Sequence, residues 1–119
     1  MRHDKYYYLL VSFDRCCRGK DSTYKIAIGR SNRITGPYVD KDGKSMKKGG
    51  GSILLEGNAT WRGPGGQFVL MDSKEDLLVF HAYHGTTGRP ALHVSQIVWQ
   101  KDWPCVGVLA KAAADERPR

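Results

Sequence analysis

The sequence predicts an all-β fold that is built from two similar antiparallel sheets in succession. First, the 119 residues include 14 glycines and 5 prolines, which separate short runs of β-branched and aromatic residues as turns separate strands. Second, the apolar stretch at residues 7–14 has a similar counterpart about 70 residues later, at residues 77–84. Third, an alternating stretch follows each of them, at residues 25–31 and 91–97. One four-stranded sheet per repeat fits this order, as in consecutive blades of a β-propeller.

Two strands and a hairpin are predicted in the first part of the chain. Residues 5–13 contain an unbroken apolar run, which is typical of a strand buried on both faces. Residues 23–31 alternate, so that their apolar side chains share one face of a strand. A turn at residues 35–37 and the pair Asp42 and Gly43 then predict a hairpin. After three glycines, residues 52–56 form a short strand that we assign to the second sheet.

The second part of the chain repeats this order with further strands. Glycines and a proline precede a strand at residues 67–71, and two more strands are predicted at residues 75–83 and 89–99. A final short strand surrounds Val106. The small and charged residues 110–119 predict a frayed, flexible tail.

The composition argues against several classes of protein. The formal net charge is +7, but the basic residues match no nucleic-acid-binding motif, and a group of lysines surrounds the predicted hairpin tip. Three cysteines form neither a disulfide framework nor a zinc motif. The longest apolar run is far below the ~18 residues of a membrane span. We therefore expect no nucleic acid and no membrane as partner. A small basic nucleic-acid binder stays an alternative, and its affinity would fall steeply with salt.

Three stretches of the sequence resemble one enzyme family. They are YYYLLVSFDRCCRGKDSTYKIAIGRSNRITGPYVDKDG, WRGPGGQFVL and LLVFHAYHGTTGRPALHVSQIVW. They resemble the C-terminal part of the family 43 glycoside hydrolases. Within this family they are most similar to the arabinanases (arabinan endo-1,5-α-L-arabinosidases), which cleave α-1,5-linked L-arabinofuranosyl chains. The resemblance implies a five-bladed β-propeller, of which this chain would supply the last two blades.

The resemblance also divides the chain into three parts. Residues 1–48 would form the penultimate blade without its innermost strand, because nothing before Lys5 suits that strand. Residues 49–109 would form the final blade, and residues 110–119 the flexible tail. The missing N-terminal blades of the same enzyme would then be a necessary partner.

A reaction follows from the same resemblance. Family members hydrolyse with inversion: a carboxylic acid protonates the leaving oxygen, and a carboxylate ~6.5–9.5 Å away activates water. In the family these groups precede the matched region, so we expect no catalytic residue in this chain and no hydrolysis by the chain alone. The implied substrate is arabinan or arabino-oligosaccharide, and the implied location of the enzyme is extracellular or periplasmic. A non-catalytic sugar-binding module derived from such a propeller is the alternative.

A loop with adjacent cysteines is the first candidate binding element. In the family it lies near the sugar-binding end of the channel, so Asp14, Cys16, Cys17 and Arg18 are candidate substrate-binding residues. The two thiols either form a disulfide between neighbours or remain reduced and partly buried. The guanidinium of Arg18 either donates to sugar hydroxyls or forms a salt bridge to Asp14 or Asp21.

A glycine-rich stretch is the second candidate element. Gly65, Gly66 and Gln67 are candidate substrate contacts, since glycine lets a backbone approach a ligand closely; an ordinary glycine turn is the alternative. Many relatives carry a histidine at the position of Gly66, and that histidine binds a metal ion, usually calcium. Because Gly66 replaces this ligand, we predict no metal site, and any other cofactor is unknown. His81 is predicted to be a core residue with a satisfied hydrogen bond.

Overall fold

The computed structural model describes residues 1–72 and 74–107, and this part of the chain forms two antiparallel four-stranded sheets. The strands are β1 (Arg2–His3), β2 (Tyr6–Phe13), β3 (Lys25–Ser31), β4 (Ser52–Leu55), β5 (Trp61–Met71), β6 (Asp76–His84), β7 (Pro90–Gln100) and β8 (Trp103–Cys105). Strands β1 to β4 form the first sheet and β5 to β8 the second, each in chain order. The all-β prediction is confirmed, while the predicted tail at residues 110–119 lies outside the described residues.

The first sheet has a short first strand that the sequence prediction lacks. β1 pairs with the start of β2, with His3 opposite Tyr6, so residues before Lys5 do join the sheet. Met1 extends this pairing, because its amine donates to the carbonyl of Tyr8 at 3.0 Å and its carbonyl accepts from the Tyr8 amide at 2.7 Å. A short strand thus lies next to β2 where the sequence predicted none, while the absence of the innermost strand of a complete blade stays a prediction.

Strand β4 belongs to the first sheet, whereas the expected division at residue 49 places it in the second. β4 pairs with β3, with Leu55 opposite Ile26. The buried carboxylate of Asp40 explains this arrangement, since it accepts hydrogen bonds from the amides of Lys44 and Gly51 at 2.9 Å. These bonds fold the connection back on itself and return the chain to the edge of β3. The boundary between the sheets therefore lies between β4 and β5.

Two strands of the second sheet have limits that differ from the prediction. β5 already begins at Trp61, because its glycines form irregularities within the strand instead of a turn before it. Gly63 and Gly66 both have a φ angle of 59°, and the register with β6 shifts on either side of Gly65. Such bulges bend a strand and interrupt its ladder locally. β8 lies just before Val106, which was expected at its centre.

The apolar core lies between the two sheets. Its buried cluster consists of Ile26, Leu55, Leu78, Phe80, Ala82 and Ile97. The first two belong to the first sheet and the others to the second, so each sheet contributes one face to the core. Within residues 1–72 and 74–107, no helix has the length and apolar character that crossing a membrane requires.

Each sheet leaves apolar residues exposed on its other face, and we call these the two outer faces. On the second sheet, Phe68, Leu92 and Val94 are 62%, 76% and 57% exposed. On the first sheet, Leu9 and Ile53 are 40% and 44% exposed. Only one residue of β2 is buried, so the predicted burial of this strand on both faces is wrong for the chain by itself.

Candidate functional site

Both sheets bring strand ends to one edge of the molecule, which we call the upper edge. β2 ends there before Asp14, β3 begins there at Lys25, and the start of β5 lies nearby. The sheets meet closely at this edge, because a Cβ atom on Gly63 would lie 2.5 Å from Cβ of Ser22. The cysteine loop, residues 14–24, and the glycine-rich start of β5 are therefore neighbours.

The cysteine loop is closed by a disulfide and by backbone hydrogen bonds. Cys16 and Cys17 are joined to each other, so the oxidised pair is the alternative that this structure contains. The carbonyl of Arg15 accepts from the amides of Thr23 and Tyr24 at 2.8 and 3.0 Å, which closes the base of the loop. The loop is consequently an ordered part of the upper edge.

The tip of the cysteine loop reaches the second sheet. Gly19–Asp21 form a short 3-10 turn, and the amide of Arg18 before it donates to Oγ of Ser22 at 2.9 Å. A Cβ atom on Gly19 would lie 3.2 Å from the carbonyl oxygen of Gly88, in the turn between β6 and β7. The backbone of the loop thus spans the junction of the two sheets.

The ion pair of the cysteine loop differs from the predicted alternative, a salt bridge from Arg18 to Asp14 or Asp21. Oδ2 of Asp14 lies 3.0 Å from Nζ of Lys25. Among the described residues, Arg18 forms no ion pair with Asp14 or Asp21, so the salt-bridge alternative is wrong for this structure. Arg18 is exposed, and its guanidinium donors remain free to bind an acceptor outside this chain.

Gly65 is buried, and packing within the chain explains why glycine stands there. A Cβ atom at this position would collide with Cδ2 of the Tyr24 ring. The close approach that glycine permits at this position is therefore to the side chain of Tyr24, directly before β3, and not to open space. This packing brings β5 against the base of the cysteine loop.

The next two residues of β5, Gly66 and Gln67, have surroundings that differ from those of Gly65. Gly66 is exposed, and a Cβ atom on it would lie 2.7 Å from Nδ1 of His81. Oε1 of Gln67 accepts a hydrogen bond from Oγ of Ser12 at 2.9 Å, which links β5 to β2. The predicted hydrogen bond of His81 is not found, since within the described part of the chain its buried Nε2 has no partner.

The residues at this edge do not fit a calcium ion. Calcium takes about six to eight oxygen ligands, mostly carboxylates and carbonyls. Gly66 has no side chain, and the imidazole of His81 occupies the adjoining space. Across residues 1–72 and 74–107, no three side chains of His, Cys, Asp or Glu are grouped as metal ligands.

A cavity of about 340 Å³ opens at the upper edge beside the cysteine loop. Its lining includes Asp14, Tyr24, Glu56, Arg62 and Gly63. Asp14 is the only predicted site residue in this lining. The other predicted residues lie outside the cavity: Cys16, Cys17, Arg18, Gly65, Gly66 and Gln67. Charges of both signs and a phenol favour a polar, hydroxyl-bearing ligand.

Sequence reasoning missed most residues of this cavity, among them Glu56, Arg62 and Tyr24. Glu56 directly follows β4, and Arg62 lies in the stretch WRGPGG, so both stand next to features that the sequence marks. Tyr24 was considered only as one member of an alternating strand. These three residues share a position at a strand end on the upper edge. The sequence can reveal this shared position only after β4 has been assigned to the first sheet.

Comparison with known proteins assigns a family. The family described as "Glycosyl hydrolases family 43" matches residues 1–104. The chain is 55% identical over 100 residues to the extracellular endo-α-(1→5)-L-arabinanase 1 of Bacillus subtilis, covering 83% of this chain and 30% of that protein. It is 42% identical over 108 residues to the extracellular exo-α-(1→5)-L-arabinofuranosidase ArbA of Cellvibrio japonicus, covering 89% of this chain and 31% of that protein.

Solved structures agree with this assignment. The α-L-arabinanase of Cellvibrio cellulosa matches with a TM-score of 0.86 and 41% identity, over 90% of this chain and 35% of that one, and it has also been solved with arabinohexaose. The chain spans less than a third of the length of the curated relatives named above. Because the family match extends over most of its residues, the chain belongs to the glycosyl hydrolases of family 43.

Proposed function

We propose that the chain is part of an arabinan-hydrolysing enzyme, in which it forms the penultimate and the final blade of a five-bladed β-propeller. The observation that carries this proposal is the 55% identity to an endo-arabinanase over 83% of the chain. The two outer faces support the blade assignment, because each sheet of a closed ring packs between two neighbours. The two blades correspond to the first and second sheets, with their boundary between β4 and β5.

In this proposal the catalytic carboxylates lie upstream of this chain in the complete enzyme. The general acid protonates the oxygen of the scissile α-1,5 bond, and the base removes a proton from the water that attacks the opposite face of the anomeric carbon. A separation of ~6.5–9.5 Å leaves room for that water, and the product has inverted configuration. Asp14 takes neither role, since its carboxylate pairs with Lys25 at 3.0 Å.

The contribution of this chain is to bind and orient the sugar chain. Arg18 donates to sugar hydroxyls from a loop that the disulfide and the contact with Gly88 hold in place. Gln67 contributes its amide nitrogen, because its oxygen already accepts from Ser12. Cys16, Cys17 and Asp14 form the rim beside Arg18.

The two glycines of the candidate site have unequal roles in this proposal. The exposed backbone of Gly66 can be approached by a sugar, whereas Gly65 acts indirectly, by letting β5 pack under Tyr24. The Cellvibrio cellulosa arabinanase was solved with arabinohexaose, which supports a linear arabino-oligosaccharide as ligand. Two relatives are named extracellular, which supports a location outside the cytoplasm.

A chimeric enzyme tests this function. In the Bacillus subtilis arabinanase, the segment that this chain matches is replaced by the chain, and new reducing ends from linear 1,5-arabinan are measured. We expect the chimera to hydrolyse arabinan and the isolated chain not to. Arg18→Gln in the chimera should raise KM roughly tenfold, the effect of losing hydrogen bonds from a charged donor. Arg15→Gln, a change at an exposed arginine of the same loop, should leave KM within about twofold.

Three outcomes would contradict parts of the proposal. A chimera that melts cooperatively but does not cleave arabinan would overturn the assigned activity. Turnover by the isolated chain would overturn the assignment of the carboxylates to residues upstream of it. Micromolar binding of arabinohexaose by the isolated chain, together with an inactive folded chimera, would instead identify a sugar-binding module.

A further inference from the structure

The edge opposite the upper edge, which we call the lower edge, contains a basic cavity. β3 ends there at Ser31, and the following turn encloses a cavity of about 420 Å³. Its lining includes Tyr6, Arg30, Ser31, Asn32 and Arg33, and no acidic residue is among the described residues that line it. Ligand sites in proteins commonly occupy ~300–1,000 Å³, so the cavity is large enough for one or two sugar units.

The first guanidinium of the cavity is fixed in position. Arg30 lies between two aromatic rings, with its central carbon 4.1 Å from the ring centre of Tyr6 and 4.3 Å from that of Trp103. Its Nη1 donates to the carbonyl of Asp102 at 3.0 Å. Cation–π contacts of this kind hold the planar group and leave its positive charge without a carboxylate partner.

The second guanidinium is free to bind. Arg33 is exposed, and among the described residues its side chain forms no hydrogen bond or ion pair. Its backbone amide donates to Oγ of Ser31 at 3.1 Å, which fixes the turn that carries it. A planar guanidinium binds a carboxylate through two parallel hydrogen bonds, and this makes Arg33 a suitable anion ligand.

Four exposed lysines extend the positive charge beyond the cavity. They lie on the connection from β3 to β4, which we call the lysine hairpin: Lys41, Lys44, Lys47 and Lys48. The hairpin is ordered, since Val39 exchanges hydrogen bonds with Arg30 at 2.8 and 3.0 Å and Asp40 binds the amide of Gly51. Within residues 1–72 and 74–107, none of these lysines has an ion-pair partner. An ordered surface therefore presents six positive groups that have no ion-pair partner among the described residues.

We propose that the lysine hairpin and the adjoining cavity bind an anionic polysaccharide, with a sugar carboxylate held by Arg33 and Arg30. Ser31 and Asn32 supply hydrogen bonds for the hydroxyls of the same sugar, and the lysines attract carboxylates farther along the polymer. Binding at this edge would keep the enzyme on a charged polymer while the upper edge contacts neutral arabinan. The choice of a carbohydrate rests on the proposed function.

The aromatic rings at this edge argue against a nucleic acid. Single-stranded nucleic acids bind basic surfaces mainly by stacking their bases on open aromatic faces. Here Arg30 covers a face of both Tyr6 and Trp103, and Nζ of Lys41 lies 5.9 Å from the Trp103 ring centre. Carboxylated sugars need no stacking surface, only paired charges and hydroxyl partners.

Binding of the 119-residue chain to polygalacturonate tests this inference. Its methyl ester is the matched neutral probe, and single-stranded RNA is the other anionic probe. We expect binding to polygalacturonate that weakens at least tenfold between about 50 mM and about 500 mM salt, with no binding to the ester. Arg33→Gln should weaken it by roughly fivefold or more, and changing all four hairpin lysines to glutamine by more.

Arg89→Gln is the control, because it removes one exposed arginine at the upper edge and so changes the net charge equally. It should change the affinity by less than about twofold. An equal loss in Arg89→Gln and Arg33→Gln, equal binding of the neutral ester, or tighter binding of RNA would each overturn the inference. None of these probes contains arabinose, so this test can fail while hydrolysis by the chimera succeeds, and the reverse also holds.

Discussion

At the scale of single residues, Asp40 determines the path of the long connection between β3 and β4. Its carboxylate accepts from the amides of Gly51, Lys44 and Asp42. The amide of Gly51, followed by that of Lys44, lowers the pKa of Asp40 below its ordinary value of 3.8. The charged carboxylate is therefore a structural element of the hairpin, and the same bonds order the lysines beside it.

The first prediction concerns this carboxylate and pH. A lowered pKa in the folded state means that the unfolded chain binds the proton more readily, so Asp40 stabilises the fold above about pH 4 and less as the pH falls through its folded pKa. Asp40→Asn should lower the melting temperature at pH 7 and flatten the decline of stability in acid. Asp42→Asn, at an exposed neighbour, is the control and should change neither. Thermal unfolding of dilute protein from pH 7 to pH 3 measures both effects; equal melting of the two variants would contradict the prediction.

For residues that are contiguous in the chain, local sequence patterns were sufficient to predict which structural element contains them. Asp14, Cys16, Cys17 and Arg18 were expected on one loop, and the structure has them there. The sequence left open whether the thiols are joined and what the arginine contacts, because both depend on the fold of the loop. Lys25, which forms an ion pair with the carboxylate of Asp14, was not predicted as its partner.

At the scale of secondary structure elements, alternation and apolar runs predicted β2, β3, β6 and β7 with ends that lie within two residues of those in the structure. These signals depend on neighbours in sequence. The partner of β4 and the bulges of β5 were not predicted, because they depend on distant contacts. For β4 the decisive contact joins Asp40 to Gly51, and for β5 it joins Tyr24 to Gly65.

The second prediction tests the contact of β5 with the entry of β3. Gly65→Ala should destabilise the fold by about 1–3 kcal/mol, because the added methyl group collides with the ring of Tyr24 in a filled space. Adding Tyr24→Leu should recover part of this loss. Gly107→Ala is the control, since no atom of the described residues lies within 4 Å of its added Cβ atom. Urea unfolding measures the differences, and a Gly65→Ala variant as stable as the control would contradict the packing argument.

At the scale of the whole molecule, we expect the outer faces to dominate the behaviour of the chain in solution. Phe68, Leu92 and Val94 on one side and Leu9 and Ile53 on the other leave apolar surface in contact with water. Contiguous apolar patches of this kind mark surfaces that bind another protein surface. In the complete enzyme we propose that neighbouring blades cover them, so the isolated chain should associate with itself.

The third prediction follows from these exposed residues. Changing Phe68 and Leu92 to threonine should weaken self-association of the chain by roughly tenfold or more, since burial of that apolar area drives it. Ile34→Thr is the control, because Ile34 is 70% exposed but lies in a turn outside both sheets. Sedimentation velocity over a range of concentrations measures the association. A wild-type chain that remains monomeric at all concentrations would be evidence against uncovered blade faces.

The contact between Gly19 and Gly88 has a consequence for how family members can diverge. It is made by backbone alone, and a side chain at either position would meet atoms of the other loop at about 3.2–3.3 Å. Replacing one glycine by a larger residue would push the two loops apart and so shift the cysteine loop that carries Arg18. In the proposed enzyme, these two positions would therefore adjust how the rim around Arg18 meets the polymer without any change in the rim residues themselves.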